Sequence, residues 1–492
     1  MQGFDPDRIS VRSAHFIGGR YVEGGSNTID VKRPSDGVNY AGLPVADADL
    51  VDQAVQDSRN AFKNSDWARC APRERARILR RWADLIEADV KTLAPLEALG
   101  STRPIRDAAG WDLPFTAEGI RFYAEWADKI GGEVASTRAD HLGMTIAEPY
   151  GVIGAVVPWN FPLVTTSWKV GPALAAGNAM VLKPSEMTPF SVLRMAELAV
   201  EAGVPKGIFN VVQGDGRTTG DALCRHPGIA KVTFTGSTRT GAAIMAACAE
   251  SGTKAVTLEL GGKSPQVVFA DVHDLEKTAR TVARAITTNA GQVCVAGSRL
   301  IVQKSIADQF VERLSAIFAE LKPGSTWEPE TTLCPIISSR EMERIDGIVQ
   351  RTAAQGGRIV TGGQGISMGN GGAFYQPTIL TDVDQHMEAI RNEIFGPVIS
   401  VQTFDDEAQA LALADHPDYG LAAGVHTADI GRALRLARGI EAGTVWINRY
   451  GRTADFVIPT GGYKRSGIGK DLGRQAYEAN LRTKSVLVDF SE

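Results

Sequence analysis

Cysteine is scarce in this chain. Five residues, Cys70, Cys224, Cys248, Cys294 and Cys334, are scattered through 492 positions with no C-x-x-C spacing. That excludes a disulfide framework and a zinc cage, implies no metal, and points to a reducing compartment. An excess of charge of one sign is also missing. Lys and Arg number 52 against 57 Asp and Glu, a formal net charge of −5, so no field that gathers nucleic acid is implied. The basic run Arg73, Arg75, Arg77, Arg80 and Arg81 is interleaved with Glu74, Asp84 and Glu87 over a stripe of Ala76, Leu79, Ala83, Ile86 and Val90, the pattern of a solvated helix face. From Met1 to Ser10 there are acids and no apolar run of a secretory signal. The most apolar stretch, Gly151 to Trp168, contains Pro158, Asn160 and Pro162 and makes a poor membrane span. The expectation is a cytoplasmic protein with no nucleic-acid or membrane partner.

What is present is an ordinary globular composition, 43% apolar and 22% charged, in a chain long enough for two or three domains. Short strands and turns over Phe16 to Val45 precede amphipathic patterns at Asp49–Phe62, Pro72–Leu99 and Trp111–Lys129, and Glu133 to Glu148 reads as a protruding hairpin. Next comes a regular alternation. Strands at Gly151–Val157, Ala179–Leu182, Phe209–Val212, Lys231–Phe234 and Val256–Leu260 enclose helices at Val170–Ala176, Pro189–Ala202, Gly220–His226 and Ser237–Ala249. Such spacing predicts a parallel sheet covered by helices. A second series has helices near Asp274–Thr288, Ile306–Leu321, Glu341–Ala354, Asp406–Asp415 and Ile430–Gly439, with strands near Leu300–Val302, Val398–Gln402 and Val445–Ile447. The fold class expected is therefore α/β with two such domains, divided just after Glu259 where Gly261-Gly262 interrupts the pattern.

The chemistry concentrates in a few stretches. In Asn289-Ala290-Gly291-Gln292-Val293-Cys294 a lone cysteine sits on a Gly-flanked turn between a helix and a strand, held firmly yet reachable, which makes Cys294 a candidate nucleophile. Pro158-Trp159-Asn160-Phe161-Pro162 follows a strand end and stiffens the backbone around an amide suited to stabilising an oxyanion. Glu259 closes an apolar strand, where a carboxylate is either a buried acceptor or a general base with a raised pKa. No G-x-G-x-x-G follows a strand. The alternatives for phosphate and ribose are Phe234-Thr235-Gly236-Ser237, a strand passing through one glycine into a helix, and Lys183-Pro184-Ser185-Glu186, a cation and a carboxylate beyond another strand.

Together these stretches resemble the aldehyde dehydrogenase superfamily from about Phe16 to Val488. Glu259–Pro265, Glu393-Ile394-Phe395-Gly396-Pro397 and Gly462-Tyr463-Lys464-Arg465-Ser466-Gly467 complete the family's order. The resemblance implies two Rossmann-type domains plus a small β oligomerisation element: residues 1–128 and 150–260 for NAD, 261–475 for catalysis, and 129–149 with 476–492 for assembly into a homodimer or homotetramer. It implies Cys294 as nucleophile, Asn160 with the Cys294 backbone N–H as oxyanion hole, Glu259 as base and Lys169 as a proton relay. It assigns the cofactor to Trp159, Lys183, Glu186, Phe234, Gly236, Ser237, Leu260, Glu393 and Phe395. NAD is favoured over NADP because Glu186 would face a 2′-phosphate. The partner implied is a small aldehyde, oxidised to a carboxylate through a thiohemiacetal and a thioester. Phe161, Trp168, Val293, Val295, Phe456 and Thr460 are expected to line the substrate pocket, with one departure: many relatives carry an aromatic where Thr460 stands. Two rival readings are a coenzyme-A-acylating semialdehyde dehydrogenase, which would generally lack the base at Glu259, and a cysteine hydrolase or acyltransferase. A hydrolase would need a histidine base, and the nearest preceding one, His273, lies a whole helix away.

Overall fold

In the computed structural model, which describes residues 2–491, the alternating patterns become two mixed sheets. The first has eight strands. Five of them run parallel, in the spatial order Phe209–Val211, Ala179–Lys183, Val152–Val156, Lys231–Thr235, Ala255–Glu259. Chain order thus reverses direction at Val152–Val156, leaving a crevice between that strand and Lys231–Thr235 at their carboxyl ends, where open α/β sheets hold ligands. Pro158 to Phe161 and Gly236-Ser237 both lie just beyond those ends. The short strand Gly467–Ile468, from the far end of the chain, adds an antiparallel edge against Leu258 and Glu259.

The second sheet has seven strands in the order Arg358–Thr361, Thr378–Thr381, Val398–Phe404, Arg299–Gln303, Pro265–Val268, Ala422–His426, Thr444–Ile447, all parallel except the first pair. Four of these strands carry little signal in the sequence. Pro265–Val268 starts on a proline after two glycines, and Ala422–His426 is built of small residues with weak strand preference. A third sheet places His141–Pro149 between Val134–Ala135 and Leu481–Asp489, so the predicted hairpin is real, and the C-terminal strand starts four residues before the expected Ser485.

Two helices differ from the pattern in ways that matter. The expected single helix Pro72–Leu99 is two, Pro72–Ala88 and Val90–Gly100, broken at Asp89, whose ψ of 18° leaves the helical range. The helix expected at Val170–Ala176 begins two turns earlier, at Pro162, because a proline at the first helical position has no N–H to lose. All fourteen residues of Pro162–Ala175 are buried, which is why they show no amphipathic period. Among the described residues no helix is long and apolar enough to cross a membrane, and no group of three His, Cys, Asp or Glu is placed to hold a metal.

Candidate active site

A single cavity of about 1130 Å³ gathers most of the residues singled out above. Asn160, Phe161 and Trp159 enter it from beyond the strand Val152–Val156, Gly236 and Ser237 from beyond Lys231–Thr235, and Glu259 and Leu260 from the end of Ala255–Glu259. The other wall brings Val293, Cys294 and Val295 from the turn after the helix Leu275–Thr287, with Glu393 and Phe395 from the segment before Val398.

The cysteine turn is held by amides. Asn289, Ala290 and Gly291 lie in succession in the left-handed region, with φ of 50°, 50° and 72°, a costly run for residues with a Cβ. Hydrogen bonds offset that cost. Asn160 Nδ2 donates to Gln292 O at 3.0 Å, Asn289 Nδ2 donates to Asn160 O at 3.1 Å, and Asn289 Oδ1 accepts from Thr102 Oγ1 at 2.7 Å. Gln292 completes the frame, donating to Asn289 O and Pro335 O and accepting from the Ile337 N–H. At Gly291 a Cβ would come within 2.1 Å of Gly396 O. Only glycine lets the cysteine turn and the Glu393–Pro397 segment approach this closely.

Burial sets the resting ionisation of the three reactive groups. The Cys294 thiol is pushed up to about 11, mainly by desolvation, with Glu259 and Glu393 adding to the rise and the Arg452 cation opposing it. Glu259 is raised to about 8 by desolvation and by Asp471, against Lys169, Arg452 and Lys470. Its Oε1 has no hydrogen-bond partner among the described residues. Glu393 is raised to about 7 by burial, although it accepts from the Gly262 N–H at 3.0 Å. A buried carboxyl poised near neutrality with a free oxygen is fitted to take a proton.

Some expected residues lie elsewhere. Phe456 does not line the cavity: it is buried behind Trp168, 4.5 Å from the ring of Phe115 and 5.9 Å from that of Phe122. Thr460 is likewise off the wall, accepting from Arg452 Nη1 at 2.7 Å. Phe234 lies beneath Gly236, where a Cβ would be 2.4 Å from its ring. Lys183 is buried at the end of its strand, donating to Pro184 O and Gly214 O and paired with Glu186 at 3.4 Å, both outside the main cavity. Lys169 forms a buried ion pair with Asp471 at 2.5 Å. Sequence reasoning missed Asp471, Asn289, Gln292 and Arg452. Asn289 and Gln292 stood in plain sight beside Cys294, whereas Arg452 and Asp471 come from two separate segments, 158 and 177 residues after Cys294, and nothing in their spacing shows it.

A match to the model of the aldehyde dehydrogenase family runs over residues 21–486. The chain belongs to the aldehyde dehydrogenase family. It is thereby an oxidoreductase acting on aldehydes. Relatives at this level include the NADP/NAD-dependent aldehyde dehydrogenase PuuC of Escherichia coli, 41% identical over 98% of this chain and 97% of that one. An aldehyde dehydrogenase of Emericella nidulans is 43% identical over 96% and 94% of the two chains. Among solved structures, γ-glutamyl-γ-aminobutyraldehyde dehydrogenase of Burkholderia cenocepacia superposes with a TM-score of 0.96 at 41% identity, covering 99% and 98% of the chains. An indole-3-acetaldehyde dehydrogenase complexed with NAD+ gives the same TM-score and identity over 98% of each chain. The α/β fold of this aldehyde dehydrogenase is therefore that of its solved relatives.

Proposed function

We propose that the protein oxidises an aldehyde to a carboxylate with NAD, through covalent chemistry on Cys294. The observation that carries this is the meeting, in one cavity, of a thiol, a fixed amide and a buried carboxyl whose Oε1 has no partner among the described residues, beside the Ser237-capped start of a helix. The residues fit the cofactor. Gly236 presents backbone without a side chain over the Phe234 ring, Ser237 caps the helix Thr238–Glu250, and Trp159 meets Phe395 edge-on at 5.5 Å. These would hold a pyrophosphate and a nicotinamide ribose, with Glu393 and Leu260 alongside, while Lys183 and Glu186 would take the adenosine ribose. NAD, when bound, supplies the hydride acceptor.

The chain's own residues do the rest. Cys294 Sγ, its proton passed to solvent, adds to the aldehyde carbon as the carbonyl π bond opens onto oxygen, forming a thiohemiacetal. Asn160 spends one N–H on Gln292 O, which fixes the amide, and offers the other with the Cys294 backbone N–H to the oxyanion. After oxidation the thioester is cleaved by water whose proton goes to Glu259 Oε1, releasing the carboxylate and the free thiol. Lys169 and Asp471, near enough to Glu259 to move its ionisation in opposite directions, give that proton a polar way out. In this reading residues 1–128 with 150–260 carry the cofactor, 261–475 carry Cys294, and 129–149 with 476–492 join protomers. An aldehyde panel with NAD, NADP and coenzyme A, followed by the near-ultraviolet absorbance of the reduced nicotinamide, tests the proposal. Turnover that needs coenzyme A, or no hydride transfer with any combination, would overturn it. A kcat/KM for NADP equal to that for NAD would remove the role given to Glu186.

A further inference from the structure

We propose that Arg452 selects aldehydes bearing a carboxylate at the end away from the carbonyl, an inference that rests on the oxidation proposed above and names its substrate class. Arg452 lines the cavity that holds Cys294 and Glu259. Several other arginines on its wall are already matched: Arg103 pairs with Asp112 at 2.8 Å, Arg280 with Glu320 at 3.0 Å and Arg344 with Glu341 at 2.7 Å. Arg452 makes no ion pair among the described residues, while its loop neighbour Arg449 faces Asp455. Arg239 and Arg284 on the same wall also make no ion pair among the described residues, and Arg452 is distinguished from them by acting on the ionisation of both Cys294 and Glu259. The two acids nearest the chemistry do not cancel it, because burial keeps the carboxyls of Glu259 and Glu393 largely or partly protonated near neutrality.

The guanidinium is also held in place rather than left free in solvent. Its Nη1 donates to the buried Thr460 Oγ1 at 2.7 Å, and its centre lies over the face of Trp168, 4.9 Å from the ring centroid. Thr460, the departure noted in the sequence, is thus the hydroxyl that orients Arg452. A planar fork fixed on one edge keeps other N–H donors for a bidentate acceptor, and carboxylate is the group that matches it. A neutral tail in the same place would have to strip water from an unpaired cation without replacing its hydrogen bonds. The competing role is electrostatic help to the Cys294 thiolate, which would act on every aldehyde alike.

The test compares kcat/KM for 4-oxobutanoate with butanal and for 5-oxopentanoate with pentanal in the wild type, Arg452→Gln, Arg452→Lys and Thr460→Val. The wild type is expected to favour the oxo acid in at least one pair by about tenfold or more. Arg452→Gln should erase that ratio through KM, Arg452→Lys keep part of it, and Thr460→Val weaken it. Succinate or glutarate should protect Cys294 of the wild type from iodoacetamide and fail to protect Arg452→Gln, a readout that does not need turnover. Neutral aldehydes preferred in both pairs, or an equal loss for both members of each pair in Arg452→Gln, would overturn the inference while leaving the oxidation intact. Turnover of other aldehydes of the panel with none from these four would also overturn the inference alone, whereas no reduced nicotinamide from any aldehyde of the panel would remove the oxidation, and this inference with it. A Gln variant that fails to melt cooperatively leaves the Lys and Val variants to decide.

Discussion

At the scale of single residues, the site is a set of groups displaced from their ordinary ionisation by burial. Glu259, raised to about 8, holds its proton until the pH climbs past that value, so a step that needs the carboxylate should accelerate as pH rises and level off above about 8. Glu259→Gln should lose that titration. It should still give up to one NADH per site in a rapid-mixing burst, then turn over about 10²–10⁴ times more slowly, with acyl-enzyme on Cys294 visible by intact mass. A missing burst would mean that the carboxylate is needed before hydride transfer. Cys294, at about 11 at rest, is almost wholly thiol at neutral pH. A cationic nicotinamide ring beside it should favour the thiolate, so the pH profile of alkylation should move to lower pH when NAD is present. Superimposable profiles would count against that placement. Of the residues themselves, Cys294, Asn160 and Glu259 were legible because each sits at the end of a strongly patterned element. Phe456 and Thr460 were not, because the direction of a loop side chain is set by what it meets across the fold.

At the scale of elements, the decisive contact is between two turns. Gly291 in the cysteine turn and Gly396 before Val398–Phe404 approach so closely that Gly291→Ala would place Cβ 2.1 Å from a carbonyl oxygen, at a φ of 72°. Both segments must then shift, carrying Cys294 on one side and Glu393 and Phe395 on the other. A displacement of about 1 Å at reacting groups can cost on the order of 10²-fold in rate, and the strain itself about 1–3 kcal/mol. Turnover and the melting temperature of the same variant would show both, and unchanged kcat would mean that the turns are not coupled. The regular helices and strands around these turns were readable from periodicity. Pro265–Val268 and Ala422–His426 were not, since a strand buried on both faces need not alternate, and small residues carry no strand signal.

At the scale of the whole molecule, the three-stranded sheet ends on an open edge. Leu481–Asp489 is nine residues long and pairs on one side only, and Leu487 and Phe490 are 76% and 57% exposed. Such an edge invites a second chain. Light scattering after size exclusion should therefore give at least twice the chain mass, and Leu487→Asp with Phe490→Asp should lower it; a monomeric wild type would refute the role given to this sheet. By itself the sequence determined the α/β alternation, the place of the cysteine turn and the family's order of stretches, because these depend on local periodicity and residue type. Only the tertiary structure decided that Asp471 would raise the pKa of Glu259, that Lys169 would be paired to Asp471, and that Arg452 would be held by Thr460 with no counter-ion among the described residues. Those are relations across 8 to more than 300 residues of chain, fixed by how two sheets and a late loop close over one cavity. Desolvation and Coulomb terms act through space and leave no mark on sequence spacing.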